Sequence, residues 1–320
     1  MKAPRVVAVS LQKCGTHLVK ELMSALGYGL YGQLLVTDDV RPSFSEEAAW
    51  RMVEMVLTAE EVDHLKAAGD PQAFVTAAER AAQAIGWAWK RRLGLPLDNW
   101  YGHELPDPVL VERAYRATRG GDFSETPENI CWILHQLKVG EADGRFLREW
   151  VATGHPRIVF NYRDPRDALI SMVDYLAKGE RIKYGLFAEF HVYSEILGSI
   201  PSMAGRLEYA LGDPCFPGLR DFEDSMWLLA HPRVCNVSFE ELVGEKGGGS
   251  RDVQLATVRR VQEFLGDDSD TQVTADALFN ENAFTFNRGR SGGWQQHFTP
   301  SVEEKFDSRY GHLLSAYGYR

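Results

Sequence analysis

The chain has 320 residues, of which 44% are hydrophobic and 25% are charged, so it can bury the core of one α/β domain that carries an insertion. Its formal net charge of -10 excludes a general nucleic-acid binder, because affinity for a phosphate backbone needs a basic surface. An anionic small molecule can still bind in a local basic pocket.

The cysteine pattern and the N-terminus limit the compartment and the cofactors. The four cysteines are scattered and show no CxxC or Cys/His ligand spacing, which indicates reduced thiols and predicts no metal site. The apolar run at positions 6–9 is too short for a signal peptide, and no other stretch is long and apolar enough to cross a bilayer. We therefore expect a cytoplasmic protein without a membrane anchor.

The first predicted unit is a strand, a loop and a helix. The β-branched run at 5–10 predicts a strand, and apolar residues at helical spacing over 16–26 predict a helix that ends before Gly27. From about 37 to 126 the pattern changes to alanine- and glutamate-rich helical stretches, with a candidate capping box at Thr58 and Glu61. This segment is interpreted as a helical insertion in a single domain that spans residues 1–320.

The insertion is also rich in aromatic side chains. These could line an acceptor pocket, although packing between helices is the commoner role for such residues. The aromatic residues concerned are Trp50, Trp87, Trp89, Trp100 and Tyr101.

Two strand–helix units and a terminal helix follow the insertion. A strand at 158–162 turns through Asp164 and Pro165 into a helix, and a strand at 234–239 leads through a glycine-rich loop to a helix that ends before Gly266. Thr299 and Pro300 start a terminal helix with one apolar face. Alternating strands and helices predict a three-layer α/β fold, a parallel β-sheet with helices on both faces.

The first strand–helix loop is a candidate anion site. Lys13, Gly15 and Thr16 lie between a buried strand and a helix start, where backbone N–H groups and the helix dipole favour an anion. The simpler alternative is that Thr16 only caps the helix. The triphosphatase loop GxxxxGK[ST] is absent, which disfavours ATP. A cysteine phosphatase would use Cys14 as nucleophile, but its arginine would fall at Lys20, so that class remains only as an alternative.

The start of the second helix contributes another candidate. Asp164, Pro165 and Asp167 are ordinary helix-start residues, whereas Arg163 is not explained by local structure. Arg163 lies at the end of a strand, where α/β sheets bind ligands, and it can bind phosphate through two N–H groups. Ser171, two helical turns after the cap, could add a hydroxyl donor.

A glycine- and arginine-rich segment at 287–294 is the third candidate. Its backbone N–H groups and two arginines form a pattern suited to an anion, and the terminal helix would hold it as an ordered lid. The alternative is a charged surface loop.

Together, these three segments in this order resemble the family of sulfotransferases that use 3'-phosphoadenosine-5'-phosphosulfate (PAPS). The stretch QKCGTHL at 12–18 resembles the family's PKSGTT loop, RDPRD at 163–167 its 3'-phosphate motif, and the segment 287–298 its RKGxxGDWxxHF motif. FEEL at 239–242 is similar to the family's YEDL. The resemblance covers about the first 30 residues and most of the chain after Cys131, and it leaves out the insertion.

The resemblance implies a sheet related to that of the P-loop nucleotide kinases, with PAPS as donor, 3',5'-adenosine bisphosphate (PAP) as product and no metal. Lys13 would be catalytic, stabilising charge on the leaving oxygen. The residues implied in donor binding are Lys13, Cys14, Gly15, Thr16, His17, Arg163, Ser171, Phe239, Asn287, Arg288 and Gly289. The chain departs from the family at Asn287, at Gly293 and at His17, which replace an arginine, an aspartate and a threonine.

The resemblance also implies a histidine base for the acceptor hydroxyl. His135 lies upstream of Arg163, where the family has KTHLP, although the preceding lysine and the following proline are absent here. His103 is the competing candidate. The predicted function is sulfuryl transfer to a small-molecule hydroxyl. Two alternatives stay open, a nucleotide-binding regulatory protein without turnover and an enzyme that depends on Cys14. The acceptor's identity and the oligomeric state cannot be read from the pattern.

Overall fold

The computed structural model describes residues 2–31, 42–94, 107–179, 189–278 and 290–320. Five parallel strands form one sheet in the order β2-β3-β1-β4-β5. The strands are β1 (Arg5–Ser10), β2 (Gly29–Tyr31), β3 (Ile130–Leu134), β4 (Arg157–Tyr162) and β5 (Val234–Ser238).

The helices of the described residues are numbered in chain order. They are α1 (Thr16–Ala25), α2 (Glu46–Val56), α3 (Ala59–Ala68), α4 (Pro71–Arg92), α5 (Pro108–Thr118), α6 (Gly144–Thr153), α7 (Pro165–Ala177), α8 (Glu189–Ser199), α9 (Met203–Gly212), α10 (Leu219–Ala230), α11 (Phe239–Leu242), α12 (Arg251–Leu265), α13 (Thr271–Asp276) and α14 (Pro300–Ala316).

The sheet is buried on both faces, as expected for parallel strands. Alternate residues of β1 enter two separate cores: Val7 and Val9 pack on one side, and Val6 and Ala8 on the other. Helix α1 packs with Val6 and Ala8, whereas α4 and α7 pack on the opposite side. The predicted three-layer fold is therefore confirmed.

The switch in chain order lies at β1. Within the sheet, β3 and β2 lie to one side of β1, and β4 and β5 lie to its other side. In open parallel sheets, ligands bind beyond the carboxyl ends of the strands at such a point. The loops that follow β1, β3 and β4 meet there.

Several local predictions are confirmed by the helix ends. Thr58 and Glu61 form the capping box of α3, Asp164 caps α7, and Gly266 ends α12 in the left-handed conformation. The strand at 234–239 is shorter than predicted, because Ser238 caps a new helix and Phe239 begins α11. Strands β2 and β3 were not predicted.

The region of the predicted insertion contains α2, α3, α4 and α5. Arg92 of α4 has a side chain that is 1% exposed and pairs with Asp143 at 2.8 Å, which attaches this region to the segment before α6. The insertion's status as a separate unit stays a prediction. No helix among the described residues is long and apolar enough to span a membrane. Within the same residues, no group of three or more His, Cys, Asp or Glu side chains is arranged to hold a metal ion.

Candidate functional site

The loop after β1 has a special backbone. Gly15 has φ 86°, and Lys13 has φ 64°, a conformation that L-residues with side chains seldom adopt. A Cβ on Gly15 would lie 2.5 Å from Cδ2 of Phe239, so glycine is required there by both conformation and space. Strain at a lysine is typical of functional loops, because surrounding contacts must maintain it.

Helix α1 begins without a side-chain cap. Its N-cap is Gly15, which has no side chain to accept a hydrogen bond from the first turn of the helix. Thr16 is the first helical residue, and its Oγ1 lies 3.0 Å from Ser10 Oγ at the end of β1. The alternative that Thr16 is simply a cap is therefore wrong. The positive end of α1 remains open to an anion.

Asn161, at the end of β4, holds this loop in place. Its Nδ2 donates to Ser10 Oγ at 2.9 Å and to the Cys14 carbonyl at 2.8 Å. One amide group thus joins the ends of β1 and β4 to the turn that carries Lys13.

Cys14 points into the core. Its side chain is fully buried, and its backbone N–H donates to the Leu11 carbonyl at 3.1 Å. Burial raises the pKa of the thiol well above its usual range, and the nearby Arg163 guanidinium offsets only part of that effect. In this structure the side chain of Cys14 does not face the loop's exterior and its N–H group bonds within the loop, so donor binding by Cys14 stays a prediction without support from its geometry. The alternative of a Cys14 nucleophile also loses its basis, because a buried, protonated thiol is inert.

Arg163 joins three parts of the chain. Its Nη2 donates to the Arg290 carbonyl at 2.6 Å, and its Nη1 lies 3.5 Å from the Lys13 carbonyl. The guanidinium carbon lies 4.4 Å from the ring centroid of Phe239. The cation is thus held between the β1 loop and the C-terminal segment.

The start of α7 is more than a helix cap. Asp164 caps the helix and also binds Arg166 through both carboxylate oxygens, at 3.0 and 2.7 Å. Asp167 was predicted to serve the helix start, but its carboxylate accepts from the N–H groups of Gly292 at 2.7 Å and Trp294 at 2.8 Å. The first turn of α7 therefore receives the C-terminal segment.

Ser171 lies one helical turn beyond Asp167, on the same face of α7, and is half-buried. Asp167 Oδ2 in turn lies 3.5 Å from Arg163 Nη2. The Ser171 hydroxyl is thereby placed on the side of the helix that lies next to the guanidinium. No direct contact between Ser171 and Arg163 is formed among the described residues.

The charged end of Lys13 lies over an aromatic ring of α7. Its Nζ is 4.0 Å from the ring centroid of Tyr175. Cation–π contacts of this kind contribute about 0.5–1 kcal/mol at exposed sites and more where water is excluded. Tyr175 therefore restricts where the ammonium group can lie, and it was not identified from the sequence.

His135 follows β3 directly and reaches the end of β1. Its Nδ1 lies 3.1 Å from the Ser10 carbonyl oxygen. Because a carbonyl can only accept, Nδ1 carries the proton in the neutral ring and Nε2 keeps its lone pair. Burial lowers the pKa of His135 to about 4, the Ser10 carbonyl opposes this, and Lys90 and Lys13 lower it further. The ring is therefore neutral near pH 7.

Two other titratable side chains, His17 and Lys90, belong to the same electrostatic environment. The pKa of His17 is lowered to about 4 by burial and then by Lys20, Lys13 and His135. Lys90 of α4 is 3% exposed, its Nζ lies 3.7 Å from the ring centroid of Trp87, and burial lowers its pKa to about 7. The sequence offered no signal for Lys90, which resembles any lysine near a helix end.

Helix α11 packs against the residues of the candidate site. Phe239 is 5% exposed and packs against Gly15 and Arg163. Glu240 accepts from the Asp164 N–H at 3.3 Å and from the Tyr319 hydroxyl at 2.6 Å. The FEEL segment thus fixes the entry to α7, and Phe239 supports Gly15 and Arg163.

Some predicted residues lie outside the described residues. These are Asn287, Arg288, Gly289, His103, Trp100 and Tyr101. Of the other aromatic residues of the insertion, Trp50 stacks on Phe74 at 4.3 Å and Trp89 contacts Phe123 at 5.1 Å. Helix packing therefore explains both of them.

Sequence reasoning missed several site residues, because each of them gives only a weak signal. Asn161 is a polar residue near the end of a buried strand, and Glu240 and Asp167 are acidic residues in the first turn of a helix. Each has an ordinary local interpretation. Their partners are remote in sequence, so the pattern alone could not separate them from helix caps and strand ends.

The residues present fit the phosphate groups of a PAPS-type ligand. The Arg163 Nε is buried and makes no hydrogen bond within the described structure, so it is a donor that an anion would satisfy. The buried oxygens Gln12 Oε1 and Asn161 Oδ1 also make none, and an anion would not satisfy these two acceptors. The open end of α1 and the Lys13 ammonium complete a cationic site without a metal.

A parallel sheet with a glycine-containing loop after β1 and cations at its carboxyl edge is an α/β architecture in which ligands commonly bind at that edge. No family model matches the chain, and no curated protein matches it in sequence. The crystal structure of mouse sulfotransferase SULT7A1 complexed with PAP is similar, with a TM-score of 0.51 and 13% identity over 98% of this chain and 86% of that chain.

Retinol dehydratase in complex with androsterone and the inactive cofactor PAP is a more distant likeness. It has a TM-score of 0.46 and 15% identity over 98% of this chain and 81% of that chain. The likeness to the mouse enzyme shows that this chain has the fold of the PAPS-dependent sulfotransferases.

Proposed function

We propose that this protein is a PAPS-dependent sulfotransferase that sulfates a hydroxyl group of a small molecule. One observation carries the proposal: the Lys13 loop, Arg163 and a neutral His135 ring oriented by the Ser10 carbonyl meet at one edge of a sulfotransferase-type sheet. The cationic groups suit a phosphorylated donor, and the neutral imidazole suits an acceptor hydroxyl.

The donor would bind across the loops that follow β1 and β4. Gly15, Thr16 and the first turn of α1 would hold its 5'-phosphosulfate, and Arg163 with Ser171 would hold the 3'-phosphate. Asn287, Arg288 and Gly289 remain proposed contacts by resemblance. Bound PAPS supplies an activated sulfuryl group and is released as PAP.

Each catalytic residue has one role. His135 Nε2 would take the acceptor proton as the oxygen–sulfur bond forms, while Nδ1–H stays on the Ser10 carbonyl and keeps the ring oriented. Lys13 would stabilise the charge that grows on the leaving phosphate oxygen, and loss of such a charge costs about 3 kcal/mol or more. The negative donor would also raise the proton affinity of His135 from its low value in the free protein.

The first test is a thermal-shift titration with PAP. At 100-fold over its dissociation constant, ligand should stabilise the protein by about 2.7 kcal/mol. The second is release of PAP from PAPS with a panel of phenols, alcohols and sugars. The proposal fails if PAP produces no shift, or if PAP binds but no acceptor causes turnover, as for a regulatory protein.

A further inference from the structure

Asp167 makes contacts that a helix start does not require. It is the third residue of α7, is 3% exposed, and uses both carboxylate oxygens on the backbone N–H groups of Gly292 and Trp294, at 2.7 and 2.8 Å. Charge-assisted hydrogen bonds of this kind are about twice as strong as neutral ones. They join Asp167 to residues that are 125 and 127 positions later in the chain.

The same carboxylate is close to the candidate phosphate-binding cation. Asp167 Oδ2 lies 3.5 Å from Arg163 Nη2, and that same Nη2 donates to the Arg290 carbonyl at 2.6 Å. Arg163, Asp167 and the 290–294 segment therefore form one closed set of contacts. A displacement of the segment would remove the hydrogen bond from Arg163 Nη2 to the Arg290 carbonyl.

Neighbouring contacts add to this junction, but they involve the side chain of Trp294 and not the backbone of the segment. The Arg166 guanidinium lies 3.6 Å from the ring centroid of Trp294, and Trp294 packs on Phe298 with a centroid separation of 5.9 Å. These contacts hold the ring of Trp294. The backbone of the segment, which contains Gly292 in the left-handed conformation, is held by Asp167.

We propose that Asp167 is a positioning residue that makes donor binding selective for a nucleotide with a 3'-phosphate. It docks the 290–294 segment on α7 and fixes the Arg163 guanidinium before the ligand arrives. A cation that is already held loses less freedom on binding, so the 3'-phosphate contributes more to affinity. The inference rests on the proposed function, because it assigns the 3'-phosphate to Arg163.

The test compares two nucleotides that differ only in the 3'-phosphate, PAP and 5'-AMP, by calorimetry. Asp167→Asn keeps the shape of the side chain but presents an NH2 group to one of the two amides. We expect the PAP dissociation constant to rise at least tenfold and that of 5'-AMP to change less than threefold. Asp107→Asn is the matched control, because Asp107 also accepts two backbone N–H groups and pairs with an arginine. The control should keep the wild-type ratio.

Amide hydrogen exchange provides a second readout that needs no ligand. In Asp167→Asn, the peptide over 290–298 should lose protection while α14 keeps it. Equal weakening of both nucleotides would assign Asp167 a general structural role and overturn the inference, as would unchanged or tighter PAP binding. If Asp167→Asn does not fold, Asp167→Ser is measured in the same way. Wild-type protein that binds neither nucleotide would instead refute the proposed function.

Discussion

At the scale of single residues, Lys13 combines backbone strain with a charged group at the candidate centre. Its φ of 64° is unfavourable for a residue with a Cβ, and its Nζ is held over Tyr175 at 4.0 Å. A residue selected only for stability at such a position would be glycine. The strain therefore supports the proposed role of Lys13 by an argument that does not depend on the resemblance.

Two substitutions at Lys13 should separate stability from activity. Both Lys13→Ala and Lys13→Gly remove the ammonium group, so we expect turnover with PAPS to fall at least 100-fold in each, which corresponds to about 3 kcal/mol. The free energy of unfolding should be about 1 kcal/mol higher for Lys13→Gly than for Lys13→Ala, because only glycine accepts the positive φ freely. Equal stability of the two variants in chemical denaturation would show that the backbone strain is not significant.

At the scale of elements, the site is made by two helix starts and the strand ends that precede them. Helix α1 has no side-chain cap, whereas α7 has Asp164 as its cap and uses Asp167 elsewhere. Asn161 connects β4 to the loop before α1. The buried Asn161 amide thus helps to place the two helices relative to each other, together with the sheet and the contact of Arg163 with the Lys13 carbonyl.

Asn161→Asp tests that connection. The change removes the N–H donor to Ser10 and Cys14 and places a carboxyl group beside the anion site, so we expect PAP affinity to fall at least tenfold near pH 7. Asn236→Asp is the matched control, because Asn236 on β5 also donates to one backbone carbonyl, at 3.0 Å, and has a buried Oδ1 without a partner. A loss of affinity as large in Asn236→Asp, measured by calorimetry, would point to a general effect on the sheet.

At the scale of the whole molecule, the fold collects positive groups around a half-buried edge of the sheet. Lys13, Lys20 and Lys90 lower the pKa values of the two histidines there, in addition to burial. Such a concentration of charge on an acidic protein is suited to one anionic ligand, and it makes the stability of the fold depend on pH.

That dependence can be predicted with its sign. His17 and His135 have folded-state pKa values of about 4, below the usual 6.5, so the unfolded chain binds protons first as pH falls. The unfolding free energy should therefore decrease from pH 6.5 to pH 4, and we expect about 2 kcal/mol for each ring after allowing for partial solvent access. His17→Gln and His135→Gln should each flatten the profile measured by denaturant unfolding. Exposed His64→Gln on α3 is the control, and an equal flattening there would contradict the assignment.

Local signals in the sequence were sufficient for much of the fold. β1, α1, β4, α7 and α14 could be predicted because β-branched runs, an Asp-Pro start and glycine ends act over a few neighbouring residues. Short strands such as β2, with three residues, leave no comparable pattern. The order of the Lys13, Arg163 and 287–298 segments along the chain also carried the sulfotransferase resemblance.

The tertiary structure alone decided how those segments act together. In the folded protein the Cys14 side chain lies in the core, Asp167 binds the C-terminal segment, and the Ser10 carbonyl orients His135. Each outcome depends on a partner that lies in another element, in two cases more than 100 residues away, and residue type and spacing contain no record of such pairs. The sequence determined which residues could form an anion site, and packing across the sheet edge determined which of them lie together.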